Sequence, residues 1–279
     1  MTVARPAASI DGLCEAAVRV LLAAAPEEKV HQTVAVAERW RARGFVGVGL
    51  AAPPDRPARP AFPELLPPKR MRRRRAGGIE SKIALVHALA HIELNAIDLA
   101  WDIVVRFADQ DLPLAFFDDW VGVAREEAEH FSGLASLLGD MGSHYGALPA
   151  HDGLWEAAQK TTDDLLYRLA VVPMVLEARA LDTAPTTLAR LEEVGDHAFA
   201  AVLRQVLDDE VAHVAVGVRW FDFLCHRRRL DPAATFQSIV RRHFTKGLKA
   251  PFNHDARQRA GLPREYYEPL AAPPSSGAS

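Results

Sequence analysis

The distribution of hydrophobic residues along the chain predicts an all-α fold. From Gly77 onward, apolar side chains recur at intervals of three and four in long Ala- and Leu-rich stretches that are almost free of glycine and proline. This spacing is typical of amphipathic helices. The predicted long helices cover residues 79–109, 113–138, 154–182 and 186–229. Shorter helices are predicted before them, at residues 7–24 and 27–43.

The connections between the long helices predict a ferritin-like four-helix bundle. The first two helices are joined by the short segment ADQDLP and the last two by DTAPTT, so each pair should be antiparallel. Between the pairs lies GDMGSHYGALPAHDG, a segment of about 15 residues that can run the length of a bundle. Two antiparallel pairs with one long crossover form the ferritin-like arrangement.

The flanking segments predict the rest of the domain organisation. We divide the chain into an N-terminal helical extension (1–52), a Pro/Arg-rich arm (53–78), the bundle (79–229) and a C-terminal extension (230–279). Prolines exclude regular helix in the arm and favour an extended segment lying over the fold. We expect Pro232 to stop the last helix, APFNHDARQRAGLPREYYEPL to pack back on the bundle, and the tail AAPPSSGAS to be disordered.

Composition narrows the class of protein. The chain has 279 residues, 49% of them hydrophobic, and a net charge of -3, so it can bury a sizeable core and shows no global preference for nucleic acid or membrane. We find no apolar run of membrane-spanning length and no signal peptide. Cys14 and Cys225 are too few for a disulfide framework. We therefore expect a cytoplasmic protein with no membrane partner.

The arm carries a basic run that leaves two interpretations open. It is either a solvated or salt-bridged surface segment, or a site for an anionic ligand such as RNA. The residues of the run are Lys69, Arg70, Arg72, Arg73, Arg74 and Arg75.

Each predicted bundle helix carries an acid on its apolar stripe. The first and third helices offer one inward glutamate each, and the second and fourth each offer a Glu-x-x-His motif. Such groups are costly to bury unless something neutralises them. The predicted ligand set is Glu93, Glu127, His130, Glu177, Glu210 and His213.

This set suits a dinuclear metal site. A glutamate and a histidine three residues apart face the same way on a helix, so one helix can present both to one metal ion. Four carboxylates balance two divalent ions, and mixed oxygen and imidazole ligands suit iron or manganese. The pattern is that of carboxylate-bridged di-iron and di-manganese bundles. We predict two iron ions, with manganese as the alternative; unrelated ion pairs are the competing interpretation.

Further polar residues adjoin the predicted ligands. Glu126 and Asp209 each precede a ligand histidine by four residues, and each either orients the histidine of the other helix or faces solvent. His87 and His91 are four residues apart, but His91 lies roughly opposite Glu93, which favours a packing or surface role. We expect Pro173 to kink the third helix just before its glutamate.

The motifs AHIELNAIDLAWD, REEAEHF, VLEARALD, DDEVAHVAVGVRWF and PFNHDARQRAGL resemble the bacterial ferritin-like proteins of domain-of-unknown-function family 455. The likeness runs from about Pro53 to Tyr267. It implies a ferritin-like bundle with a dinuclear metal site and brings no established substrate. The chain is more distantly similar to the tRNA-modifying di-iron hydroxylase and to rubrerythrin-like peroxidases, which is a likeness of fold and ligand set only.

These patterns favour an O2- or peroxide-activating oxidoreductase of hydroxylase type. Its substrate, a small molecule or RNA, is unassigned, as are catalytic residues beyond the metal ligands. Rubredoxin-type cysteine pairs are absent, so electrons would come from a separate donor or from peroxide. The alternatives are iron storage or detoxification, and a non-catalytic interaction protein stabilised by its metal. The oligomeric state stays open, a dimer among the options.

Overall fold

The structure, a computed structural model, describes residues 12–71 and 77–273. Those residues are all-α, as predicted. They contain no β-strand beyond the isolated bridges Leu65–Ala150 and Leu248–Ala271. The chain divides into two compact units, unit 1 at residues 1–155 and unit 2 at residues 156–279, which are described separately. The four domain boundaries drawn from the sequence stay predictions.

Unit 1 is built on a long pair of helices. Its helices are α1 (Leu13–Leu22), α2 (Pro26–Arg41), α3 (Gly78–Arg106) and α4 (Leu114–Asp140). The helices α3 and α4 pack along their length, with α1 against α3 and α2 against α4. The core between them is aromatic and fully buried at Trp101, Phe116 and Trp120. The predicted helices of this unit are therefore confirmed to within a few residues in the described chain. Of the first, predicted over residues 7–24, residues 7–11 lie outside the described chain.

Helix α3 is unusually apolar. Within the described residues it is long and apolar enough to cross a membrane, although the sequence reading found no run of that length. However, 67% of its most apolar stretch is buried inside the protein. The core helix of a folded domain has the same character, and α3 forms the centre of unit 1.

The arm lies over unit 1 as an extended segment. Its described part has no regular element apart from a short 3-10 turn, Pro68–Arg70. Backbone hydrogen bonds hold it: the Ala58 amide donates to the Leu21 carbonyl, and the Leu66 amide to the Ala150 carbonyl, both at 2.8 Å. The prediction of an extended, packed arm is confirmed for this part of the chain.

A second polar stripe follows α3 along the face turned towards the N-terminal helices and the arm. Its buried members recur at intervals of three and four: His87, His91, Asn95, Asp98 and Asp102. The helical spacing of these residues is visible in the sequence, although only the two histidines entered the expectations above. The stripe explains how the extensions are attached to the long helix.

A buried ion pair is one of these attachments. The Lys29 ammonium of α2 donates to Asp98 Oδ1 at 2.5 Å and to the carbonyls of Val20 and Leu21. Arg59 of the arm lies 3.2 Å from the other Asp98 oxygen. Burial lowers the pKa of Lys29, and the Asp98 carboxylate opposes this effect. The charge of Asp98 is therefore matched by cations from two different segments.

Unit 2 contains a second long pair. Within the part that the structure describes, its elements are α5 (Gly153–Gln159, which crosses the boundary between the units), α6 (Leu165–Val171), a π-helical turn (Val172–Glu177), α7 (Ala178–Glu193), α8 (His197–Arg228), α9 (Pro232–His243), α10 (His254–Arg259) and α11 (Arg264–Tyr267). The π-helical turn and α7 pack against α8. Because a short turn at residues 194–196 joins them, this pair is antiparallel.

The predicted third helix, residues 154–182, is wrong as a continuous helix. The chain leaves helical geometry at residues 160–164. The Thr161 hydroxyl donates to the Ala158 carbonyl at 2.9 Å, and the Asp164 side chain caps α6 by accepting from the Leu166 amide at 2.9 Å. Threonine and aspartate favour such local bonds over helix interior. The sequence TTDD therefore indicated a break in the helix, but the apolar spacing on either side favoured a continuous one.

The predicted loop DTAPTT is also wrong, because residues 182–187 lie inside α7. Pro185 has no amide hydrogen, so the Leu181 carbonyl loses its helical partner. Asn253 of the C-terminal extension donates its side-chain amide to that carbonyl at 3.1 Å. A tertiary hydrogen bond therefore replaces the missing helical one. The true turn contains Gly195, whose φ of 72° suits glycine.

The C-terminal extension packs back on α7 in unit 2, as predicted. Arg257 is buried, pairs with Asp182 at 2.7 Å, and lies over the rings of Phe252 and Tyr267 at 5.0 and 4.5 Å. Pro232 follows the end of α8 but also begins α9, as its first residue. The tail predicted to be disordered begins at Ala271, but the Ala272 amide donates to the Leu248 carbonyl at 2.7 Å, so its first residues are ordered. Residues 274–279 lie outside the described chain.

We predict that Lys29→Met destabilises the protein by about 3 kcal/mol, because it removes the principal cation from the buried Asp98. Adding Asp98→Leu should recover most of that loss, since an apolar pair of similar volume is nearly as stable as a buried ion pair. The measurement is urea unfolding followed by circular dichroism. The control is Lys160→Met at an exposed position. A Lys29→Met protein as stable as this control would contradict the prediction.

Candidate metal centre

Unit 1 brings three predicted ligands together. Glu93 comes from α3, and Glu127 and His130 come from α4; all three are buried. Each offers one ligand atom, and these atoms lie within 4.8 Å of one another. The His130 Nδ1 atom is 3.3 Å from a Glu127 oxygen and 3.6 Å from a Glu93 oxygen.

The geometry follows from the helix pair. Glu93 and Glu127 are equally far along the chain from the short connection between α3 and α4, so they meet at the same level of an antiparallel pair. Their neighbours at helical spacing, such as Ala90, Ile97 and Ala124, are buried and fix these faces inwards. His130 follows one turn after Glu127 and therefore points to the same place.

The electrostatics of this cluster favour a cation. Burial raises the pKa of Glu93, and the negative charge of Glu127 raises it further, while His130 acts in the opposite direction. Burial lowers the pKa of His130, but its interactions with the carboxylates of both glutamates outweigh this effect and raise it. The Glu93 Oε2 atom is buried without a hydrogen bond. Buried carboxylates beside an imidazole are a donor set that could hold a metal ion.

Unit 2 positions the other predicted ligands. Glu210 and His213 are buried on α8, as predicted. Glu177 is only half-buried, which corrects the expectation that it lies fully inside, although its Oε2 atom is inaccessible to solvent. Gly217 packs tightly on Pro173: a Cβ atom at residue 217 would stand 2.6 Å from the proline Cβ. In this antiparallel pair Glu177 and His213 each lie one turn from that contact, at the same level.

Pro173 disturbs its helix, as predicted. The disturbance takes the form of a π-helical turn over Val172–Glu177, which ends at the predicted ligand. A π-helical turn widens the backbone and changes the direction of the side chains after it, and such turns are frequent at functional sites.

The remaining predicted site residues have local partners. Glu126 is half-buried, with one carboxylate oxygen 3.9 Å from Arg125. Asp209 is half-buried and accepts from Gln205 at 2.6 Å. Their role in orienting the ligand histidines stays a prediction. Arg70 is exposed at the end of the 3-10 turn, whereas Arg72, Arg73, Arg74 and Arg75 lie outside the described residues.

The two histidines of α3 anchor the crossover, so of the two predicted roles, packing or surface, the structure supports packing. His91 Nε2 bonds the His151 carbonyl at 3.1 Å and therefore carries the proton, so the Tyr145 hydroxyl donates to Nδ1 at 2.8 Å. The Gly146 amide donates to His87 Nε2 at 2.9 Å. Burial lowers the pKa of each of these two histidines to about 4. Both histidines are therefore neutral and have a structural role.

The fold and this site define an all-helical protein with a buried glutamate–histidine cluster that could hold metal. The sequence profile of the family described as "Protein of unknown function (DUF455)" matches residues 22–268, and the chain belongs to this family, as the resemblance predicted. An uncharacterized protein of Haemophilus influenzae is 41% identical over 210 residues, which are 72% of this chain and 73% of that protein. No solved structure matches the chain.

We predict that His87 makes stability fall with acid. Its pKa is about 4 in the folded chain, against an ordinary value of 6.5. The unfolded chain therefore binds a proton first, and stability is lost as the pH falls from about 6.5 to about 4. In chelator-treated protein, His87→Gln should reduce the slope of unfolding free energy against pH in this window by up to about 1.4 kcal/mol per pH unit.

The control for this effect is His31→Gln at an exposed position. Urea unfolding at several pH values measures both variants. Equal slopes in wild type and His87→Gln would contradict the assignment of a buried, neutral His87.

Proposed function

We propose that this protein is a carboxylate-bridged dinuclear metal protein with a ferritin-like bundle, and that it is an oxidoreductase of hydroxylase type that activates O2 or peroxide. The observation that carries the proposal is the buried cluster of Glu93, Glu127 and His130, whose ligand atoms lie within 4.8 Å of one another. Its acids have a charge that the fold must neutralise, and a metal ion does this while using all three groups as ligands.

The donor atoms support iron or manganese. The cluster offers carboxylate oxygens and an imidazole nitrogen, and no sulfur. Such a set matches the preferences of iron and manganese, whereas a structural zinc site favours thiolates and a closed tetrahedral shell. The buried oxygen of Glu93 that lacks a hydrogen bond is the kind of atom that a bound cation satisfies.

We assign the second half of the ligand set to Glu177, Glu210 and His213. The support is the repeated spacing of the two helix pairs: Glu93 precedes Glu127 by 34 residues, and Glu177 precedes Glu210 by 33. Each pair thus offers one glutamate and one Glu-x-x-His motif. Four carboxylates then balance two divalent ions, as in other dinuclear bundles.

The chain's own residues hold the metals and restrict access to them. Bound iron would supply the redox chemistry that activates O2 or peroxide. The apolar neighbours of Glu93 and Glu127 keep bulk water away from the cluster. Glu177 is the most exposed of the six proposed ligands, which makes the π-helical turn the natural side for substrate entry. Electrons would come from a separate donor or from peroxide.

The proposal predicts two metal ions per chain. Protein loaded anaerobically with ferrous iron and desalted should hold close to two irons by elemental analysis. The loaded protein should consume peroxide, and Glu127→Ala treated in the same way should not. No more than trace iron or manganese after loading would contradict the proposal. Uptake of many irons per chain would indicate storage instead.

The four glutamates should contribute unequally. Glu127 and Glu210 each share a helix turn with a ligand histidine, which places them best for bridging, so replacing either by alanine should lose both metals. Glu93→Ala should lose mainly one metal and leave a mononuclear protein, and Glu177→Ala should do the same. The measurement is metal stoichiometry beside helical circular dichroism.

The matched control for these variants is Glu129→Ala, an exposed glutamate on the same helix as Glu127. It should keep two metals. If all four ligand substitutions also keep two metals, the assignment of ligands is wrong.

A further inference from the structure

Basic residues are concentrated in one segment of unit 2. Residues 219–249 contain eight lysines and arginines, two aspartates and no glutamate, in a chain whose net charge is -3. The segment comprises the end of α8, all of α9 and the loop that follows. The charge of the chain is therefore segregated rather than evenly spread.

Four of these cations are exposed and have no acidic partner among residues 12–71 and 77–273: Arg229, Arg241, Lys246 and Lys249. The Arg241 guanidinium donates a hydrogen bond to the neutral Gln237 side chain at 3.2 Å. Their neighbour Arg228, by contrast, pairs with Asp164 at 2.8 Å. Cations that the fold leaves uncompensated are available to an anion from outside.

Arg229 occupies a backbone position that favours a different residue. It ends α8 with φ 57° and ψ 43°, a left-handed conformation in which glycine or asparagine is preferred. Arg43 shares this conformation, but its guanidinium pairs with Asp118 at 2.9 Å. Within the described chain, Arg229 has no such ion pair that would account for an arginine in this conformation. A ligand for its guanidinium outside the chain would explain it.

The spacing of the cations favours a polyanion. Arg229 precedes α9 and Arg241 lies in its last turn, so about 18 Å of helix separates them. The exposed face between them carries the small side chains of Ala234 and Ser238, and α9 contains no acid. One phosphate or carboxylate group cannot reach both ends of this face, whereas a chain of phosphates can.

We infer that this α9 basic surface, formed by Arg229, Arg241, Lys246 and Lys249, binds the phosphate backbone of a nucleic acid. Guanidinium groups match phosphate geometry. A lipid surface would require apolar anchors, which the exposed face of α9 lacks. The inference does not depend on the metal site.

The test uses the full chain and labelled 20-mer oligonucleotides of uridine and of thymidine, with fluorescence anisotropy at several salt concentrations. The α9 variant combines Arg229→Gly, Arg241→Gln and Lys246→Gln. It should bind at least about tenfold more weakly at low salt, and the slope of log affinity against log salt should fall by about 2, for three lost phosphate contacts. Arg229→Gly alone removes the backbone strain, so weaker binding with unchanged or higher thermal stability excludes unfolding as the cause.

The charge-matched control combines Arg19→Gln, Arg41→Gln and Arg259→Gln, all at exposed positions. It should bind like wild type. Equal weakening of this control, or no binding of either oligonucleotide at low salt, would overturn the inference. Binding to phosphatidylserine vesicles alone would overturn it in favour of a membrane. If substitutions at Lys69, Arg70 and residues 72–75 abolish binding and the α9 variant does not, the nucleic-acid surface is the arm.

Equal affinity for the two oligonucleotides would support recognition of the phosphate backbone shared by RNA and DNA. Tighter binding of the uridine oligonucleotide would support the inference and identify RNA as the source of the phosphates.

Discussion

The neutralisation of acids buried on α3 is the constraint on which unit 1 depends. On one face, Asp98 is matched by Lys29 of α2 and by Arg59 of the arm. On the other face, the imidazole of His130 lies between the carboxylates of Glu93 and Glu127, at 3.6 and 3.3 Å. A buried carboxylate without a counter-charge is strongly destabilising. The first face is balanced by the chain itself, and the second is a cluster that could hold a metal ion.

The part of the site in unit 1 was accessible to sequence reasoning because its information is local. Helical spacing placed Glu93 among buried apolar residues, and the i, i+3 relation joined Glu127 to His130. Packing of two consecutive helices through a short connection then leaves little freedom in register. Glu177 was predicted less well. Its exposure depends on the π-helical turn, and apolar spacing at 3.6 residues per turn cannot represent a change in helix type.

Features that depend on partners far away along the chain were not predicted from the sequence. Pro185 indicated a loop, and only the hydrogen bond from Asn253 to the Leu181 carbonyl makes it acceptable within α7. Lys29 was not singled out from the sequence, because its burial depends on a contact with Asp98, 69 positions away. The break at residues 160–164 has a different cause. Its capping residues, Thr161 and Asp164, are visible in the sequence, but the apolar spacing on either side favoured a continuous helix.

The hydrogen bond from Asn253 and the ion pair from Arg257 indicate that the helical core of unit 2 does not end with α8. Both reach α7, where one replaces the bond missing at Pro185 and the other neutralises Asp182. A chain cut after α8 would keep all six proposed ligands and yet leave α7 with an open carbonyl and with Asp182 paired only with the partly exposed Arg179. The smallest cooperative folding unit of this half therefore extends through Tyr267, which lies over Arg257. The family match ends at residue 268 and therefore includes Tyr267.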